Sequence, residues 1–399
     1  MTVDFDAIVV GAGPCGIAAA HLLRSHGLRA LMLDKQSFPR VKPCGGGITI
    51  KALERMPWSC APVIERAVNK LIMGLRTRSS ERLEHFETGG HICVFAVREA
   101  FDRFNFEKTA EAGVAFEVAP GPLAIEERED CVLVDTGRAK RTARYLIGAD
   151  GANSAVRRQL SRAPYFYRGF AIEGLIDYAD LGREPVTEFF FGTVKNGYGW
   201  LFPKGDHVNA GLYTWDAHVT LGKAQLRAYA QARAGTDRVR NIVGFPLGFG
   251  GRDYVQEHER IILAGDAAGF AEPILGEGIH NALKSGQAAA SAIIACERGE
   301  AASLRAAYRK AAAPVMKDLS RCERLRRFFY SNLEGIGFST LASPVSKAAL
   351  TRGFAAGMTT REITNAFFLS PFFRAAMPLG LREFLAMRTA AAGPGRLAL

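Results

Sequence analysis

Residues 5–35, FDAIVVGAGPCGIAAAHLLRSHGLRALMLDK, decide how the rest of the chain is read. FDAIVV is an apolar run of strand length, IAAAHLLRSHG carries apolar residues at helical spacing, and RALMLDK is a second strand-like run. Where the first strand meets the helix, Gly11, Gly13 and Gly16 make the pattern GxGxxG, with Pro14 and Cys15 between them. Glycines at such a junction let the backbone approach a pyrophosphate, which the amide-rich start of the helix favours. Asp34 ends the second strand roughly twenty positions further on, where a carboxylate meets ribose hydroxyls, and Lys35 follows it. The stretch is a βαβ unit of the dinucleotide-binding kind. Gly11, Gly13, Pro14, Cys15, Gly16, Asp34 and Lys35 are its expected nucleotide contacts, and NAD and FAD fit it equally.

Composition sets the frame around this unit. The 399 residues are 48% hydrophobic and 23% charged, the balance of a globular chain with room for two or three subdomains. No uncharged apolar run reaches the ~18 residues of a membrane span. The opening MTVDFDAIVV lacks the basic and apolar regions of a secretory signal, so a cytoplasmic protein is expected. Seven cysteines without a CxxC spacing point to reduced thiols, with neither a disulfide framework nor a metal site. The net charge is +11, and residues 300–399 hold 15 Lys and Arg against 6 Asp and Glu. A basic helical tail suits an anionic lipid, an anionic substrate or a plain solvated surface. Nucleic acid is the weakest partner, because the charge is scattered through Phe-rich helices with no reading module.

Further along, residues 56–95 read as an insertion ending in the strand-like HICVFAV. REAFDRFNFEKTAEAG (98–113) reads as a helix, and residues 165–255 alternate as antiparallel strands, among them AIEGLIDYAD, VTEFFFG, GYGWLFP and HVNAGLYTW. RIILAGDAAGF (260–270) returns to a buried strand and glycine turn, EGIHNALKSGQAAASAIIACERG reads as a long helix, and the pattern from 301 onward is helical. The expected architecture is α/β, α+β overall. A discontinuous Rossmann-type cofactor domain takes residues 1–55, 96–157 and 256–300. An inserted antiparallel-sheet substrate domain takes 56–95 and 158–255, and a C-terminal helical cap takes 301–399.

LIGADGANSAVR (146–157) and ILAGDAAGF (262–270) resemble the two downstream fingerprints of flavoproteins of the p-hydroxybenzoate-hydroxylase type. Arg98, in VREAFDRF, matches the arginine that opens the helix beneath the cofactor in that superfamily. The resemblance implies FAD, with Asp266 at the ribityl and pyrophosphate region, and it adds Asp150, Gly265 and Arg98 to the cofactor contacts. PILGEGIHNAL (273–283) reads as a turn feeding a helix whose amides would face the pyrimidine end of the flavin ring. This brings in Gly276, Gly278 and Ile279. Glu277 would oppose negative charge on a reduced ring, so it is expected to cap the helix or point away; His280 is read as a helix-side residue rather than a base.

KPCGGG (42–47) resembles the cysteine-glycine loop of the geranylgeranyl reductase family. NGYGWLFPKGDHVNAG (196–211) resembles that family's YxWxFP motif, and GDAAGFAEPILGEGI fits it too, with Gly269 where aromatic hydroxylases carry His. The family's proline three residues before the tyrosine is Lys195 here. The resemblance implies a reductase that uses reduced FAD to saturate carbon–carbon double bonds of an isoprenoid chain. Hydride delivery to an isolated alkene needs a proton at the neighbouring carbon. Cys44 is the expected donor, directly or through a water, with Gly45 and Gly46 leaving room beside the ring; Cys44 as a small filler is the other reading. Tyr198, Trp200, Phe202 and Phe191 are the expected substrate wall, against ordinary core. Phe367, Phe368, Phe372 and Phe373 flank a Ser-Pro break in the tail, which suits either peripheral membrane contact or an internal lid. NAD(P)H and ferredoxin both stand open as electron donor, since no second GxGxxG appears, and the oligomeric state is open. Two other functions fit the fold: an FAD monooxygenase of an aromatic or polyketide substrate, and a flavin-bound lipid carrier.

Overall fold

The computed structural model describes residues 2–78, 80–160, 166–338 and 342–369. Phe372 and Phe373 lie outside the described residues, and so do the side chains of Phe367 and Phe368.

The apolar run that opens the chain becomes the strand Phe5–Val10, at the centre of a seven-stranded sheet. It pairs in parallel with Ala30–Asp34 on one side and with Lys140–Gly148 on the other. Ala115–Val118 extends the sheet beyond Ala30–Asp34, and Ile261–Leu263 pairs in parallel with the end of Lys140–Gly148. A short antiparallel meander, Ala124–Glu127 and Val132–Asp135, completes it. Ala7, Ile8, Val9, Leu31, Met32, Leu33, Leu146 and Ile147 are buried, as strands covered on both faces require. The helix Pro14–Ser25 starts with proline, whose missing N–H costs nothing in the first turn. The helix Ile279–Glu297 crosses it closely at Gly286, where a Cβ would lie 2.2 Å from the Cys15 carbonyl oxygen.

A second seven-stranded sheet runs Arg240–Phe249, Tyr167–Asp177, His207–Thr214, Gly197–Pro203, Glu188–Phe191, Lys70–Arg76, Glu81–Glu87. It is antiparallel except where Glu188–Phe191 meets Lys70–Arg76. Two features depart from the strand-only reading of 165–255 and from the assignment of 56–95 to this sheet. A helix, Lys223–Ala234, packs on one face of the sheet, with Leu226, Tyr229 and Ala230 against Leu201 and Leu212. The insertion also contributes Arg66–Val68 and Cys93–Phe95 to a separate three-stranded sheet with Gly47–Thr49. That small sheet anchors the far end of the KPCGGG loop directly before the helix Arg98–Glu111.

Leu304–Ser331 is a 28-residue helix whose first turn is capped by the Ser303 hydroxyl, which accepts from the Ala306 amide. Pro344–Ala355 and Thr360–Leu369 follow it. Among the described residues no helix is long and apolar enough to cross a membrane.

Candidate active site

One cavity of about 670 Å³ runs from the glycine turn, past the KPCGGG loop, to the second sheet. Gly11, Gly13, Pro14, Cys15, Asp34, Lys35, Arg98 and Asp150 line its nucleotide end. Gly11 has φ +102°, and a Cβ there would sit 2.4 Å from the Ala149 carbonyl oxygen. Gly16 serves packing alone: its Cβ would come 1.8 Å from the Gly11 carbonyl oxygen, and it does not line the cavity. Gly265 is likewise a turn residue at φ +59° behind the wall, its amide donating to Ser285 Oγ at 2.9 Å. Gly13 is different. Its backbone is extended, and a Cβ added there would find its nearest neighbour, Arg40 Nη2, only at 3.6 Å, so the space in front of it is taken by no described part of the chain.

Asp34 braces this turn while facing the cavity: Oδ2 accepts from the Ala12 amide at 2.8 Å and Oδ1 from the Gln36 amide at 3.1 Å. Asp150 Oδ2 accepts from the Ala155 amide at 2.5 Å and the Val156 amide at 3.2 Å, but its buried Oδ1 has no hydrogen-bond partner among the described residues. Burial raises the Asp150 carboxyl above the usual range. Asp266, in the turn Gly265–Ala268, is raised by burial as well, although Lys42, Arg98 and Arg157 pull the other way. Arg157 joins the two downstream motifs, donating to Ala267 O and Ala152 O at 2.8 Å each. Arg98 opens its helix as expected, clamped to Asp102 by two hydrogen bonds of 2.9 Å. An unfilled cradle at Gly13, an orphaned carboxylate oxygen on Asp150 and a cavity-facing Asp34 fit a bound dinucleotide.

Gly276, Gly278 and Ile279 line the middle of the cavity at the start of the helix Ile279–Glu297. Glu277 lines the cavity beside them rather than pointing away, its carboxylate paired with Lys51 Nζ at 2.6 Å and accepting from Thr49 Oγ1 at 2.5 Å. Burial would raise this acid, but the Lys51 charge outweighs it and holds the carboxyl low. Burial, with the Lys51 charge, pushes His280 down to about 4, so its imidazole is neutral.

The KPCGGG loop forms the arch between the two halves. Gly46 has φ +70°, and a Cβ there would lie 2.1 Å from Ala96 O. A Cβ on Gly45 would press on the Phe202 ring at 3.0 Å and on Trp200 Nε1 at 3.1 Å. The sequence pattern gives these glycines to the cofactor; the structure shows that the protein itself takes the space they leave. Cys44 lines the cavity, its Sγ accepting from the Gly46 amide at 3.4 Å.

Tyr198, Trp200 and Phe202 share one face of Gly197–Pro203 and line the cavity. Tyr198 donates to Leu275 O at 2.5 Å, Trp200 Nε1 donates to Asn209 Oδ1 at 2.7 Å, and Phe202 stacks on Phe95 at 4.8 Å between centroids. Phe191 corrects the expected wall: it is buried behind Tyr198, against Phe329, and Phe189 lines the cavity instead. Both lie on the same strand face, so alternation alone could not choose between them.

Three charged groups stand around the arch: Lys42 and Lys204 belong to the quoted KPCGGG and NGYGWLFPKGDHVNAG stretches, and Glu173 to no motif. Lys204, 2% exposed, donates to Gly45 O at 2.7 Å and Ala96 O at 3.1 Å, and burial pushes its ammonium down to about 8. Its position two residues past Phe202 on the same face is a further signal in the sequence. Lys42 stands 3.0 Å from the Phe245 ring centroid, with burial lowering it to about 8. Glu173 accepts from the Cys44 amide at 2.7 Å. Phe354 and Thr360, from the C-terminal helices, close the far wall.

The FAD binding domain family matches residues 4–175. An uncharacterised protein of Methanosarcina barkeri is 30% identical over 360 residues, covering 89% of this chain and 91% of its own. The geranylgeranyl diphosphate reductase of Rhodobacter capsulatus is 27% identical, covering 87% and 90%. Among solved structures, a geranylgeranyl bacteriochlorophyll reductase-like protein from Thermoplasma acidophilum superposes with a TM-score of 0.72 at 21% identity, over 92% of this chain and 96% of that one, which shows a shared fold. With the cradle, the two flavoprotein fingerprints and the arch in one cavity, the chain belongs to the geranylgeranyl reductase family and is an FAD-dependent oxidoreductase.

Proposed function

We propose that this protein saturates carbon–carbon double bonds of an isoprenoid chain. The observation that carries the reading is the continuity of the cavity: the nucleotide cradle, the Cys44 arch and an aromatic wall of Phe189, Tyr198, Trp200 and Phe202 open into one space. Bound FAD, once reduced, supplies hydride to one alkene carbon. The chain's residues do the rest. The aromatic wall buries the apolar chain, which favours an oily substrate by about 25 cal/mol per Å² removed from water. The arch, tied by Lys204, Gly46 and Ala96, holds Cys44 in the cavity wall beside the space the alkene would take. Glu277, neutralised by Lys51, adds no unpaired negative charge beside the helix start. The expectations for Cys44 as proton donor and for Tyr198, Trp200 and Phe202 as substrate contacts rest on this placement.

The basic C-terminal helices suit contact with an anionic membrane that delivers such a substrate. Arg309, Lys317, Arg321, Arg324 and Arg361 line one open groove there, with Arg361 ion-paired to Asp318.

The test is anaerobic. The flavin of the holoprotein is reduced and geranylgeranyl diphosphate is added. Flavin reoxidation with a product two mass units heavier for each bond reduced supports the reading. No reoxidation, together with hydroxylation of an aromatic substrate in oxygen, replaces it with the monooxygenase.

A further inference from the structure

The proposed reaction leaves the source of the second carbon's proton to the protein, and behind Cys44 stands a group that no motif singles out. Glu173 lies on the strand Tyr167–Asp177, where it shares a face with Ala171 and Leu175 and lines the cavity beside Ala171. It is 9% exposed. Its Oε1 accepts from the Cys44 amide, 129 positions away in sequence, at 2.7 Å. The Asn209 side chain, whose carbonyl is taken by Trp200 Nε1 at 2.7 Å, favours the charged form of the same carboxyl. The carboxyl is thereby tied to the arch at the Cys44 amide, in a cavity whose wall also holds Trp200.

The charged groups that face it are already engaged. Lys204, from the end of Gly197–Pro203, spends its ammonium on Gly45 O and Ala96 O. Arg98, from the helix start, is clamped by Asp102 and faces the Cys44 thiol. Burial raises the Glu173 carboxyl above the usual range, outweighing the Cys44 amide, Lys204, Asn209 and Arg98, so that it holds a proton at higher pH than a free glutamate.

We infer that Glu173 is the proton reservoir of the site, supplying the proton that the second alkene carbon takes, by itself or through the Cys44 thiol. The inference rests on the isoprenoid-reductase reading above. In the step, the alkene π bond is replaced by two C–H bonds. One carbon takes hydride, and with it both electrons, from reduced FAD. The other takes the Glu173 proton, and the carboxylate left behind is held by the Cys44 amide and Asn209 until solvent reprotonates it.

Glu173→Gln tests this, because its amide oxygen still accepts from the Cys44 amide while the transferable proton is gone. The variant is expected to purify yellow with FAD bound, and to lose about a hundredfold or more in anaerobic reoxidation by geranylgeranyl diphosphate. Wild-type reoxidation is expected to slow as pH rises through the Glu173 pKa, because only the protonated acid donates; in the variant that limb is flat. A role in positioning alone would lower the rate and keep the pH limb. Independently of turnover, the wild-type-minus-variant infrared spectrum is expected to show a protonated, buried carboxyl whose band persists to higher pH than that of a free glutamate. A variant whose reoxidation stays within about threefold of wild type and keeps its pH limb overturns the inference, and so does an infrared difference without the carboxyl band. Should wild type itself ignore prenyl substrates, the reductase reading falls, and the infrared band still decides whether Glu173 carries the proton.

Discussion

Two glycine clusters line one cavity, and Gly13 in the first is kept for a different reason from Gly45 and Gly46 in the second. At the nucleotide end, Gly13 has an ordinary backbone and empty space in front of it, so the missing side chain makes room for something other than protein. At the arch, Gly45 and Gly46 are crowded by Trp200, Phe202 and the Ala96 carbonyl, and Gly46 also needs its positive φ. Gly13 alone in the first cluster fronts a docking surface, since the chain itself crowds Gly11 and Gly16; the second cluster is a close crossing of the chain over its own sheet. A glycine run therefore signals ligand or packing according to what would meet the absent Cβ, and sequence alone does not tell the two apart.

Substitutions in the two clusters should separate these roles. The largest effect is expected from Gly46→Ala, where left-handed backbone and an overlap with Ala96 O combine to cost about 3 kcal/mol or more. A thermal melt should show a clear loss of stability together with loss of turnover; an unchanged melt would mean the arch is not held as described. Cys44→Ala leaves both glycines and the cradle intact. It should keep bound FAD and lose about a hundredfold in anaerobic reoxidation by prenyl substrate, and unchanged kinetics would remove the thiol from the chemistry. Gly13→Ala should give the opposite pattern to Gly46→Ala: a melt of the apoprotein within about 1 kcal/mol of wild type, but FAD affinity down by tenfold or so, about 1.4 kcal/mol, read by fluorescence titration. A stable variant that holds FAD normally would break the comparison. The smallest effect is expected at the third region, the basic groove. Arg321→Glu with Arg324→Glu should weaken sedimentation with anionic vesicles by several-fold, at about 1 kcal/mol per charge near the surface, while reoxidation by short soluble prenyl substrates stays at the wild-type rate.

The nucleotide end was legible because its chemistry is local. Gly11, Gly13 and Asp34 lie within one βαβ unit, and their spacing is set by the strand and helix that carry them. The same holds for the Asp150 and Asp266 turns. The arch and its neighbours were only half legible. Cys44 and the wall of Tyr198, Trp200 and Phe202 could be picked out by motif, but Glu173 meets Cys44 only because two sheets fold together. A lone glutamate sharing a strand face with Ala171 and Leu175 was the one visible hint. The helix Lys223–Ala234 went unread because it interrupts a long strand pattern, and its amphipathic face is satisfied by residues across the sheet, Leu201 and Leu212 among them. Phe189 and Phe191 share a face, so their separation into cavity and core depends on Phe329, more than a hundred residues downstream.

The strand Gly197–Pro203 is buried on both sides: Gly199 lies against the Tyr229 ring, where a Cβ would come within 2.4 Å, and Trp200 lies across Gly211, where one would come within 2.0 Å. Such a strand tolerates little change, whereas Phe354 and Thr360 close the same space from helices outside every recognised motif. Phe354 and Thr360 are therefore positions where the volume of the cavity can change while the signature segments stay fixed.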